Sequence, residues 1–307
     1  MAFEVPDSYG RFSINVERRF RKLLDHRGVL TTITPHVFSA WWNNFRDERE
    51  RYLGAHLLDS LVLRTDNMMA STNRHIVEMV IMRALRRCQV QIAADFDALV
   101  SILRSPRRGQ ALAPIRFVPV SLPGKVAKSG DTVLRNFKRT TGVSDRYFMR
   151  AEGLATQRAP ISAFIFIDDC LGTGMQFGDF IQAYSIGKLA ERVPCIYIPS
   201  VAHPKGIDAL ARSHPRIHVS PAEILTDRCG FFCGQRDNPH VWRRDGVNAV
   251  DDVREFYKRL LESRGVVPAL SDRFGLDMTL GFHDATPNNT LKAMFANQNG
   301  WAPLLQR

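Results

Sequence analysis

The chain contains no uninterrupted apolar run approaching the ~18 residues that a membrane-spanning helix needs, so no membrane segment is expected. Its opening residues, MAFEVPDSYGRF, lack the basic-then-apolar order of a secretion signal. Cysteine is scarce. Five among 307 residues, an odd number without disulfide-like spacing, argue against a disulfide-stapled scaffold and fit a reducing cytoplasm. Acidic residues are outnumbered, 31 against 42 basic, leaving a net charge of +11. Such a surplus draws polyanions, either nucleic acid (DNA or RNA) or a small anionic substrate such as a pyrophosphate. The G-x-x-x-x-G-K-[ST] spacing of a P-loop is missing, and the string from Gly124 to Ser129 does not supply it. What remains is an ordinary globular composition, 45% apolar and 24% charged, long enough for one large α/β domain or two small ones.

The most informative stretch is Phe164-Ile-Phe-Ile-Asp168-Asp169-Cys-Leu-Gly172-Thr173-Gly174-Met175-Gln176. Four apolar residues, too short for a helix, predict a buried strand. Two carboxylates follow, then a Gly-Thr-Gly turn, then an amphipathic run through Phe177, Phe180, Ile181 and Tyr184 that predicts a helix. A strand turning through glycines into a helix gathers backbone N–H groups and a helix N-terminus at one spot, which suits an anionic, hydroxylated ligand. The alternative is a plain βα turn whose acids cap the helix. Against it stands the cost of two acids on a central strand with nothing to do.

Around this stretch the strand–loop–helix rhythm from 115 to 220 predicts a doubly wound parallel sheet. Ile115–Val120 is its first strand, Val193–Val201 another, and Ile217–Ser220 a short third. The polar Ser105–Gln110 connection sets a boundary between an N-terminal helical region, 1–105, and an α/β domain, 106–307. Within the helical region, Ser13 to Gly28 reads as a basic amphipathic helix whose charged face is solvated, or which docks on the body, on a partner or on nucleic acid. Thr34–Leu63 reads as one long helix or a pair, with Trp41, Trp42 and Phe45 as core anchors, and Asp66-Asn67 as a break. Near the C-terminus an apolar strand, Met278–Phe282, runs into His283, Asp284, Thr286, Asn288, Asn289 and Thr290. The paired amides of Asn288 and Asn289 suit a base edge or a ribose, or else an Asx turn capping the final helix.

The I-D-D-x-x-G-T-G string resembles the ribose-phosphate signature of type I phosphoribosyltransferases. Carried over, Asp168 and Asp169 hold the ribose hydroxyls as catalytic acids, and Gly172, Thr173, Gly174, Met175 and Gln176 cradle the 5′-phosphate. The family closes this loop with Thr where this chain has Gln176, so one phosphate contact is altered. Its pyrophosphate loop follows an early strand, and Lys125, Lys128, Ser129 and Gly130 match it in position and chemistry. Joined to the terminal F-x-x-x-T-P-N-N-T-L…W-x-P-L-x-x-R, from Phe282 to Arg307, the pattern is similar to the phosphoribosyltransferase-like domain of bacterial anti-phage conflict systems, over about Trp41 to Arg307. The resemblance implies a parallel sheet flanked by helices with a C-terminal hood-like segment. It implies a nucleotide or phosphoribosyl pyrophosphate as ligand, Mg²⁺ brought by that ligand, and His283, Asn288 and Asn289 near base or ribose. It also implies a defence-operon partner, some such loci holding reverse transcriptases, and leaves the oligomeric state open. Either an enzyme acting at ribose C1 or a ligand-sensing subunit on nucleic acid is compatible with these residues.

Overall fold

A computed structural model describes residues 3–26, 30–106, 112–123, 129–157, 160–226, 229–232, 241–243, 245–266 and 275–307. Helices α1 (Phe12–Asp25), α2 (Pro35–Trp42) and α3 (Glu48–Asp59) precede strand β1 (Val62–Arg64). Helix α4 (Asp66–His75) passes through a π-helical turn, Ile76–Val80, into α5 (Ile81–Arg87), and α6 (Phe96–Arg104) follows. Strands and helices then alternate: β2 (Ile115–Pro119), α7 (Ser129–Thr141), β3 (Ala163–Leu171), α8 (Met175–Ala183) and the short α9 (Ile186–Leu189). Next come β4 (Cys195–Ala202), α10 (Pro204–Ser213), β5 (Ile217–Val219) and β6 (Glu223–Ile224). Helix α11 (Val250–Ser263), strand β7 (Leu280–Phe282) and a one-turn helix, Lys292–Phe295, complete the described α-helices and strands.

These elements form two compact units, one of Met1–Asp66 with Asp227–Arg307 and one of Asn67–Thr226. The division differs from the 105/106 boundary expected from sequence punctuation, and burial explains why. Helices α4 to α6 bury Ile76, Val77, Ile81, Leu85, Leu99 and Leu103 in the same cluster as the strand residues Ile115, Phe117, Ile165 and Ile196. The first 66 residues instead share a core with the C-terminal segment.

In that first unit Pro35 and the Thr34 cap, whose hydroxyl accepts from Val37 N–H, start α2. Trp41, Trp42 and Phe45 are buried core residues, as their spacing implied. The Thr34–Leu63 segment is a pair of helices, and its tail is not helical. Val62–Arg64 pairs in parallel with Leu280–Phe282, and the Thr279 hydroxyl donates to the Ser60 carbonyl at 2.6 Å. This pairing partner lies more than 200 residues away, so local periodicity gave no sign of it. Asp66 does not break the pattern but opens α4.

The second unit holds the parallel sheet. Its strands run β2-β3-β4-β5, with β6 continuing beside the end of β4. One face buries Ile115, Phe117, Ile165, Ile167, Ile196 and Ile198 in a cluster with residues of α4 to α7. The other buries Phe164, Phe166, Cys195 and Tyr197 with Phe177, Phe180, Ile186 and Leu210 of α8 to α10. Phe148 bridges Phe117 in parallel, and Met149 N–H donates to the Phe117 carbonyl, so the chain visits the outer side of β2 before returning to form β3. The strand order therefore reverses between β2 and β3. In open α/β sheets, ligands bind outside the carboxyl ends of the strands at such a reversal. The fold is α/β with a parallel central sheet flanked by helices, as the sequence predicted. No helix among the described residues is long and apolar enough to cross a membrane.

Candidate functional site

Strand β2 stops at Pro119, opposite Ile167, and Val120 N–H makes the last rung to the Ile167 carbonyl. Strand β3 continues four residues further and, among the described residues, pairs there only with β4, through Leu171 and Ala202. Asp168 and Asp169 are the first residues beyond the end of β2. They lie inside the strand rather than at its carboxyl end, where the apolar run alone had placed them. Their position at the strand-order reversal is what makes them a candidate site.

The turn after β3 is shaped by glycines. Gly174 has φ of +87°, a left-handed conformation open to glycine at little cost, and it sets the N-terminus of α8. No backbone carbonyl among the described residues accepts from the N–H of Gly172, Thr173 or Gly174. The Thr173 hydroxyl lies 3.5 Å from the Met175 N–H. Gly172 is buried, Thr173 half-buried, and Met175 and Gln176 exposed. Helix α10 braces the turn from behind. His203 N–H donates to the Leu171 carbonyl at 2.8 Å, and His203, itself buried, caps α10 by accepting from Lys205 N–H. Unbonded amides at a helix start are the chemistry that holds a phosphate.

The two acids are not equivalent. Asp168 is 4% exposed, and both its oxygens are engaged. Oδ2 accepts from the Tyr197 hydroxyl at 2.8 Å, and Oδ1 accepts from Asp169 N–H at 3.0 Å. Burial first, and then the charge of Asp169, push the Asp168 carboxyl well above the usual carboxylate range. Burial and Asp168 likewise push the Tyr197 phenol up, and burial with both aspartates pushes up the Cys170 thiol. Asp169 is only half-buried. Tyr197 was legible only as a strand residue. A tyrosine on a buried central strand needs a partner for its hydroxyl, and that requirement was the available clue.

Lys125 and Lys128 of the expected pyrophosphate loop lie outside the described residues. Ser129 begins the backbone of α7. Gly130 is buried against the end of β2, where a Cβ would stand 2.9 Å from the Val120 carbonyl oxygen. The starts of α7 and α8 thus follow the carboxyl ends of two neighbouring parallel strands. Gly130 and the 168–176 stretch belong to the second unit, whereas His283, Asn288 and Asn289 belong to the first. There His283 Nε2 lies 3.4 Å from Asp66 and 3.5 Å from Asp284. The Asn288 side-chain oxygen accepts from Arg307. The Asn289 side-chain oxygen is buried without a hydrogen-bond donor among the described residues. Neither amide caps the last helix, whose N-cap is Leu291 without a side-chain bond. The Thr286 and Thr290 hydroxyls donate to the Gln306 and Leu280 carbonyls, so part of this polar cluster ties the C-terminal segment together.

Among the described residues no group of three or more His, Cys, Asp or Glu side chains could hold a metal ion. Of the acid pair, the half-buried Asp169 is the carboxylate whose chemistry suits a hard cation arriving on a ligand's phosphates.

No curated protein matches the chain. Among solved structures it is similar to the AQ2163 protein of Aquifex aeolicus, at 11% identity and a TM-score of 0.30, over 62% of this chain and 85% of that one. The model of the PRTase-CE family matches residues 38–307. That match takes in the sheet, the acidic strand, the glycine turn and the C-terminal segment, and the chain accordingly belongs to the PRTase-CE family, whose domain is of the phosphoribosyltransferase type.

Proposed function

We propose that the 67–226 unit binds a pentose 5-phosphate, as a nucleotide or as phosphoribosyl pyrophosphate, and transfers the phosphoribosyl or ribosyl group or cleaves the glycosidic bond. One observation carries this reading. Beyond the end of β2, β3 brings an acid pair and then a turn whose amides have no carbonyl acceptor among the described residues to the point where the sheet reverses order. Carboxylates accept from sugar hydroxyls, and backbone amides at a helix start hold a phosphate dianion. Stabilising a departing pyrophosphate or base is chiefly positioning and electrostatics, for which this chain supplies the amides of 172–174 and the α8 terminus. Mg²⁺ carried on the ligand would neutralise charge on the leaving group. On the similarity of the signature and terminal segment to conflict-system domains, we place the protein in an anti-phage defence setting.

The test is to incubate the purified chain with phosphoribosyl pyrophosphate, NAD and a nucleotide panel, with and without Mg²⁺, and search for new species by mass spectrometry. A product that requires Mg²⁺ and disappears in the Asp168→Asn/Asp169→Asn double variant is expected. Turnover unchanged in that variant contradicts the assignment. The second reading, ligand sensing without turnover, has one feature in its support, the engagement of both Asp168 oxygens inside the protein.

A further inference from the structure

We infer that the two acids divide the work, Asp169 facing the ligand while Asp168 and Tyr197 form a positioning pair that fixes the acidic strand against α8. This rests on the pentose-phosphate reading of the site and deepens it. Three observations converge. Asp168 has neither oxygen left over, one held by the Tyr197 hydroxyl and the other by the Asp169 N–H. The bond to Asp169 N–H fixes the backbone from which the more exposed carboxylate projects. Tyr197 in turn lies flat on Phe177, ring centroids 3.6 Å apart and planes 9° from parallel. Phe177 sits in the first turn of α8, directly after the amides of the phosphate turn. A single buried chain, Asp169 N–H to Asp168 to Tyr197 to Phe177, therefore connects the sugar side of the site to its phosphate side. The hydroxyl bond also gives a central-strand tyrosine its necessary partner.

The assignment separates variants that an equal pair would not. Isothermal titration of the full chain with phosphoribosyl pyrophosphate and Mg²⁺ gives affinities for Asp169→Asn, Asp168→Asn, Tyr197→Phe and Asp168→Ala with and without Tyr197→Phe. Asp169→Asn is expected to weaken binding ~10–100-fold, the loss of hydrogen bonds to a charged acceptor. Asp168→Asn, whose amide oxygen still accepts from the Asp169 N–H while its NH2 donates to a Tyr197 hydroxyl turned to accept, is expected to cost only ~3-fold. Tyr197→Phe is expected to weaken binding ~3–10-fold when Asp168 is present and to add nothing to Asp168→Ala, the non-additivity of a pair acting as a unit. A purely structural tyrosine would lower stability alike in both backgrounds without that coupling in affinity. Asp168→Asn as damaging as Asp169→Asn overturns the division of roles while leaving the pentose-phosphate reading intact. Should Tyr197→Phe not fold, the comparison of the two Asn variants decides alone. Wild-type protein that binds no pentose phosphate removes both.

Discussion

Gly206, in the first turn of α10, presses on the carbonyl of Gly172 so closely that a Cβ there would stand 2.2 Å from the oxygen. The same Cβ would also meet the Leu171 side chain at 3.0 Å. Because the obstacle is backbone, it cannot turn aside as a flexible side chain would. The glycine lets one helix lie against the glycine turn that opens another.

Replacing Gly206 with Ala should displace the 172–174 turn and destabilise the protein by about 1–3 kcal/mol, the usual cost of overpacking. Gly178→Ala, in α8 with nothing within 4 Å of the added methyl, serves as the control and should stabilise by about 0.5–1 kcal/mol. Urea unfolding of the two variants measures both. Equal effects would show that the close approach is not what constrains the turn.

Gly174→Ala tests the left-handed position itself. At φ of +87° an alanine is strained by about 1–2 kcal/mol, and its methyl would come 3.3 Å from Leu210. Asn, which tolerates the left-handed region better, should restore part of the loss in thermal melts.

His56 governs an acid dependence in the first unit. It is 4% exposed, its ring tilted against Trp242 with centroids 4.0 Å apart, and neither ring nitrogen has a hydrogen-bond partner among the described residues. Burial lowers its pKa from 6.5 to about 3, opposed in part by Asp245. Between those values the unfolded chain binds a proton that the folded chain refuses. Stability therefore falls as pH drops from about 6.5 toward 3, by up to about 1.4 kcal/mol per unit, and is fully retained above 6.5. Denaturant midpoints at pH 7 and pH 5 should differ more for wild type than for His56→Phe. An identical difference in the two proteins would count against a neutral buried imidazole.

Trp41 and Trp301 donate to one acceptor, the Ala293 carbonyl, at 2.8 and 3.1 Å. Helix α2 and the C-terminal segment are thus held on the same residue. Trp301→Ala, at a site 3% exposed, should cost about 3–5 kcal/mol and lower the melting temperature, whereas Trp301→Phe keeps the packing and loses chiefly the bond.

What the sequence made legible follows from the range of the forces involved. The sheet strands, the acid pair and the glycine turn are local patterns and lie within a few residues of their predicted places. The acids nonetheless fall inside β3, because β3 outruns β2, and strand length depends on a neighbour that periodicity does not reveal. The 105/106 boundary failed to mark the compact units for the same reason. Leu99 and Leu103 look alike in sequence whether they cover a sheet or a helical layer, and only their burial with Ile115 and Phe117 settles it. Strand β1 was hidden because its partner is Leu280–Phe282. Tyr197 and Gly206 act through contacts with residues distant in sequence, which spacing does not encode.

The most direct test of a pentose phosphate resting on the glycine turn is amide hydrogen exchange. Adding phosphoribosyl pyrophosphate with Mg²⁺ should slow exchange in the peptide covering Asp169 to Gln176, and Asp169→Asn should diminish that protection. Exchange there unchanged at saturating ligand, with protection appearing only elsewhere, would contradict the account.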